Sequence, residues 1–137
     1  MILPIVAYGD PVLRKVGISI DADYPELEKL ISNMKETMYN ASGVGLAAPQ
    51  IGKAIRVFLI DASPFADDED LSEKERIILK NFNRVFINPQ IIKEEGKEWV
   101  FNEGCLSIPD VREDVLRKEK ITIEYQDENV VGSQSYE

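Results

Sequence analysis

Between Pro25 and Ala41 the apolar residues Leu27, Leu30, Ile31, Met34 and Met38 recur at helical spacing, while Glu26, Glu28, Lys29 and Glu36 fall largely elsewhere. A helix of this kind has one stripe to bury, so the rest of the chain must supply a surface for it. The pattern predicts a helix over this stretch, capped by Asp23 with Glu26 three residues on and with Pro25 in the first turn. It should end near Asn40 to Gly43, where Asn, Ser and Gly accumulate.

The remaining periodic segments read as strands. Ile55 to Ile60 is a short β-branched and aromatic run, Arg84 to Ile92 is another interrupted by Pro89, and Lys97 to Asn102 follows. Ile121, Ile123 and Tyr125 alternate with Thr122 and Glu124, Gln126 to Asn129 reads as a turn, and Val130 to Tyr136 as a further strand. One amphipathic helix near the N-terminus plus mainly antiparallel β-sheet gives the expected fold class, α+β. A chain of 137 residues affords one core, so residues 1–137 read as a single domain.

Composition excludes several partners. With 25 acidic against 16 basic residues and a formal charge of −9, little spare cation exists to neutralise nucleic acid or an anionic membrane. Met1 to Val6 is broken by Pro4 and lacks a basic segment before it, so it does not read as a signal peptide, and no stretch is long enough to span a bilayer. The single cysteine, Cys105, cannot form an internal disulfide, which suits the cytoplasm. There is no histidine, and so no imidazole base, ligand or nucleophile partner.

Three local patterns invite chemistry. The acids Asp67, Asp68, Glu69 and Asp70 lie in the segment Ser63 to Asn83. A calcium loop counted from Asp67 would place Ser72 and Ile78 where glycine and glutamate are needed, so a solvated loop is expected, with Ser72 and Glu75 capping one or two helical turns. Gly43-Val44-Gly45-Leu46-Ala47-Ala48 has the letters of a dinucleotide fingerprint but follows a helix and precedes Pro49, so it reads as a tight turn. Two glycines one residue apart also permit close approach by an extended ligand, with Gln50 offering a neutral amide just beyond. In Glu103-Gly104-Cys105-Leu106-Ser107, Cys105 reads either as a thiolate ligand beside accessible backbone or as an inert small hydrophobe.

Taken together, Gly43-Val44-Gly45-Leu46-Ala47-Ala48-Pro49-Gln50 and Glu103-Gly104-Cys105-Leu106-Ser107 resemble the first and second signatures of peptide deformylases. Gly9-Asp10-Pro11-Val12-Leu13-Arg14, and Ile108-Pro109 followed by Arg112, add to the resemblance, which covers essentially the whole chain. The family's third signature, a helix carrying H-E-x-x-H, does not occur in this sequence; its position would follow Glu137, so the 137 residues are expected to form an incomplete domain without activity of their own.

The resemblance implies removal of the formyl group from the N-terminal formylmethionine of new polypeptides, including nascent chains at the ribosome. It implies a divalent metal, Fe(2+) with Ni or Zn as substitutes, bound by Cys105 and held weakly without the histidines. Gln50, Leu106 and Gly45 are the implied catalytic positions, with the Gln50 amide and the Leu106 N–H facing the oxyanion. Gly43, Val44, Phe101, Glu103 and Arg112 are the implied substrate-binding positions. Phe101 stands where a smaller aliphatic residue is expected. The rival reading is a deformylase-like module that binds peptides or a partner without chemistry.

Overall fold

A computed structural model describes residues 1–21, 23–127 and 130–136. Helix α1 (Leu27–Asn40) is followed by strands β1 (Gly45–Ala47) and β2 (Val57–Asp61), helix α2 (Glu73–Lys80), and strands β3 (Asn83–Cys105), β4 (Ile108–Asp127) and β5 (Val130–Tyr136). The strands form one antiparallel sheet in the order β1-β2-β3-β4-β5. The fold is α+β, as the periodicities imply.

The apolar stripe of α1 finds its surface on one face of this sheet. Ile31, Met34 and Met38 are buried against Leu46, Val57, Leu59, Val85 and Ile87. The register Val57↔Ile87 and Leu59↔Val85 places these four strand residues on one face. Phe58 and Phe86, also paired, point the other way and stack at 4.6 Å, with the Tyr125 ring 4.4 Å beyond Phe86. Each fully buried side chain in such a core contributes about 1.5–3 kcal/mol from apolar transfer. Buried Thr37 ties the N-terminal segment to the helix, since its Oγ1 accepts from Leu3 N at 2.8 Å and donates to the Asn33 carbonyl at 2.7 Å.

Several local expectations are corrected. Asp23 does not cap α1: Glu26 precedes the helix in a left-handed conformation (φ 56°) with no side-chain cap, and Pro25 lies in the turn before it. The two strands expected over Arg84 to Ile92 and Lys97 to Asn102 are one long β3, and β4 begins far ahead of Ile121. Pro89 is absorbed at a register shift between Ile87 and Gln90 rather than ending the strand. Asn88 carries φ +51°, which asparagine tolerates, and its side-chain amide grips both backbone groups of Ile20 at 2.8 and 2.6 Å. The acidic segment contains a 3-10 turn (Ser63–Asp67) and α2, where Ser72 Oγ accepts from Glu75 N at 3.2 Å as expected of a cap. The expected turn over Gln126 to Asn129 falls partly outside the described residues.

Candidate functional site

Gly43 to Ala48 is not a tight turn. The α1 helix closes with Gly43 N–H on the Met38 carbonyl (2.9 Å), and the chain then runs out as β1 at the edge of the sheet, with β2 on one side only. A 3-10 turn over Ala48–Ile51 follows and ends at Gly52, whose φ of +86° favours glycine. Within that turn Gln50 Oε1 accepts from Ala47 N at 3.0 Å, which fixes which end of the amide faces outward.

The second motif closes the β3/β4 hairpin. Cys105 pairs with Ile108 across a two-residue turn made by Leu106 and Ser107. That turn lies against the first motif. Gln50 Nε2 donates to Cys105 Sγ at 3.4 Å and to Ser107 Oγ at 3.4 Å. Leu106 packs on the core cluster and sits directly over Gly43, where a Cβ would meet Leu106 Cδ1 at 2.7 Å. The N-terminal segment joins the two loops from behind: Val6 N–H donates to the Gln50 carbonyl (2.8 Å) and Tyr8 N–H to the Ser107 carbonyl (2.9 Å).

The structure therefore brings Gln50, Cys105, Leu106 and Gly43 together, with Gly45 in the adjoining strand. Cys105 is exposed and Gln50 half-buried. Val44 is at the surface, and its carbonyl accepts from Asp61 N at 2.8 Å. Asp61 is itself braced by Tyr39, whose hydroxyl donates to Oδ2 at 2.8 Å, and by Ser63 N–H at 2.9 Å. Hydrogen bonding from Ser63 is the main reason the Asp61 carboxyl is held below the usual aspartate range.

Phe101 and Glu103 lie farther along β3. The Phe101 ring meets Trp99 at 5.3 Å and Phe65 edge-on at 6.2 Å. They border a hollow of about 480 Å³ on the hairpin, shared with Trp99, Arg117, Ile91 and Ile121. Glu103 is gripped at both oxygens by Arg117, Nε to Oε2 at 2.8 Å and Nη2 to Oε1 at 2.7 Å. This fork holds the Glu103 carboxyl below its ordinary range and raises Arg117. Arg112 folds back on Asn102, its Nε 2.7 Å from Oδ1 and Nη2 2.9 Å from the carbonyl, and its Nη1 fills the space a Cβ on Gly104 would need.

Sequence reasoning missed Ser107 and Arg117. Ser107 belongs to the second motif, yet nothing in its letter says that it is buried, at 5% exposure. Arg117 becomes visible only through the register Trp99↔Arg117, which sets it on the same face as Phe101 and Glu103.

Among the described residues no three His, Cys, Asp or Glu side chains gather to hold a metal. A catalytic site normally takes three ligands from the protein, so the single sulfur of Cys105 does not by itself fit a metal centre.

These features define an α+β protein in which an exposed thiol and an oriented amide meet beside an open strand edge. The polypeptide deformylase family model matches residues 2–134. A peptide deformylase of Christiangramia forsetii is 67% identical over 129 residues, 94% of this chain. The crystal structure of the Thermotoga maritima peptide deformylase aligns with a TM-score of 0.81 at 32% identity, covering 98% of this chain and 80% of that one. A class I type b peptide deformylase from Acinetobacter baumannii bound to Met-Ala-Ser aligns with a TM-score of 0.81 at 25% identity, covering 99% and 84%. The chain belongs to the polypeptide deformylase family, a metal-dependent group of amide hydrolases. It spans 66% of the length of the Christiangramia forsetii relative.

Proposed function

We propose that the protein hydrolyses the formamide of N-terminal formylmethionine on newly made polypeptides, in the cytoplasm, releasing formate and a free amine. The observation that carries this reading is the Gln50 amide: Oε1 is pinned by Ala47 N–H at 3.0 Å and Nε2 is turned to Cys105 Sγ at 3.4 Å. When water adds to a formyl carbon, the carbonyl oxygen gains negative charge, and a preorganised neutral donor lowers that barrier without deprotonating. Gln50 Nε2 supplies one such donor, and the backbone N–H of Leu106, next to Cys105, supplies the second.

Substrate binding follows from the strand edge. An extended peptide adds beside β1, where Gly45 leaves the backbone approachable and Val44 offers a surface side chain, while Gly43, covered by Leu106, closes the wall just ahead of the strand. Phe101 and Glu103 border the space for the methionine side chain, with Glu103 kept charged by Arg117. Arg112, which the structure shows lodged on Asn102, would meet the downstream peptide after release from that contact. The family metal, Fe(2+) with Ni or Zn as substitutes, would polarise the carbonyl and acidify water when bound; of its ligands this chain supplies Cys105 alone. Formyl peptides are the proposed partners, including nascent chains at the ribosome.

The test is formate release from formyl-Met-Ala-Ser by the protein extended to the length of its relatives and loaded anaerobically with iron or with nickel. Turnover is expected. No formate from a folded, metal-loaded protein overturns the reading and leaves a non-catalytic peptide-binding module.

A further inference from the structure

We infer that Ser107 is a positioning residue for Gln50: its hydroxyl holds one hydrogen of the Gln50 amide and so turns the other toward Cys105. The inference rests on the proposed role of Gln50 as an oxyanion donor and deepens it.

A glutamine amide rotates about its last carbon–carbon bond, and a donor that swings stabilises a developing charge poorly. One anchor, Ala47 N–H on Oε1, decides which end is oxygen but leaves the plane of the group free to rock. Ser107 supplies the second anchor from the nitrogen side, at 3.4 Å. The NH₂ group has two hydrogens, and its two acceptors are Ser107 Oγ and Cys105 Sγ. Holding the first therefore aims the second at the thiol, where the reacting carbonyl would lie.

The surroundings make the hydroxyl hard to replace. Ser107 and Thr37 are the buried polar residues among those described, and at 5% exposure Ser107 leaves little room for water to substitute. Both backbones are fixed: the Gln50 carbonyl by Val6 N–H and the Ser107 carbonyl by Tyr8 N–H. The relative placement of amide and hydroxyl is thus set by main chain.

The experiment follows the Gln50 side-chain amide by NMR in the isotopically labelled 137-residue chain. In the wild type, its protons should show a through-space contact to the Ser107 β-protons; absence of that contact overturns the inference without any variant. In Ser107→Ala the amide protons should shift and exchange with water roughly fivefold faster, the factor of an ordinary net hydrogen bond. Ser107→Thr, which keeps the hydroxyl, should restore both. Unchanged amide signals in folded Ser107→Ala overturn the inference. In the metal-loaded protein extended to its relatives' length, Ser107→Ala should lower kcat for formyl-Met-Ala-Ser about fivefold with KM unchanged, and a rise in KM at constant kcat counts against it. A wild type that releases no formate overturns the deformylase reading, and the amide signals then decide alone for or against the Ser107 contact.

Discussion

Gly43 and Leu106, from two separate motifs, are in such close contact that a methyl group on Gly43 would stand 2.7 Å from Leu106 Cδ1. The requirement for glycine at position 43 is steric, because its neighbour is a side chain anchored in the core cluster. Leu106 shares the hairpin turn with Ser107 and adjoins Cys105, so displacing it moves the site as a unit. Gly43→Ala should cost about 1–3 kcal/mol, the usual penalty for overpacking, and should shift the NMR signals of Cys105 and Ser107. Urea unfolding of the two proteins measures the first, and an unchanged midpoint would refute the steric account.

The Glu103–Arg117 fork makes a pH prediction whose sign can be worked out. Arg117 holds the Glu103 carboxyl below its ordinary value, so the native state binds that proton less readily than the unfolded chain. The stabilisation is present above about pH 4.3 and is lost as pH falls through the lower native value. Carboxyl-carbon NMR titration should find Glu103 below the ordinary range in the wild type and returned toward it in Arg117→Gln. The two midpoints coinciding would remove the fork from the account.

Metal content should follow ligand count. One thiol, without histidine anywhere in the sequence, replaces the three protein ligands of a usual catalytic site. The desalted 137-residue chain should retain far less than one equivalent of iron, nickel or zinc. Cys105→Ser should lower even that residue of binding, since an alcohol is a poorer ligand than a thiolate. Stoichiometric metal surviving in the serine variant would show that Cys105 is not the ligand.

Gln50→Ala, in the protein extended to its relatives' length, should reduce kcat for a formyl-Met peptide by roughly a hundredfold or more, as loss of an oxyanion donor does, while peptide affinity changes much less. Indifference of kcat would remove Gln50 from its proposed role and leave the family membership intact.

How much of this was legible depends on where burial left a mark in the sequence. Helix α1 was readable because Ile31, Met34 and Met38 must all face the sheet, and β2 because Val57 and Leu59 must. Lys97 to Asn102 was legible only as a separate strand and the first half of β4 not at all, since Trp99, Val100 and Leu116 are exposed and both faces meet solvent, which erases the alternation strands otherwise carry. Pro89 resembled a stop because a register shift cannot be seen in letters. In the site, the motifs announced Gln50 and Cys105, but the Ser107 contact and the reach of Arg117 depend on how the hairpin turn sets strand register. Asp23 had the right chemistry for a cap, yet the chain enters α1 through a left-handed Glu26 instead.

The double tether from Val6 and Tyr8 to the Gln50 and Ser107 carbonyls has a kinetic consequence. Gln50 and Ser107 are 57 residues apart, and the segment that joins them comes from the far N-terminal side of both. Neither Val6 nor Tyr8 belongs to the buried core, and Tyr8 is largely exposed, so little apolar burial opposes their release. Segments of this kind open locally at far lower free energy than the whole molecule unfolds. The latch can therefore lift while α1 stays seated on the sheet, freeing the Gln50 and Ser107 carbonyls while Leu106 and Ile51 remain packed on the core.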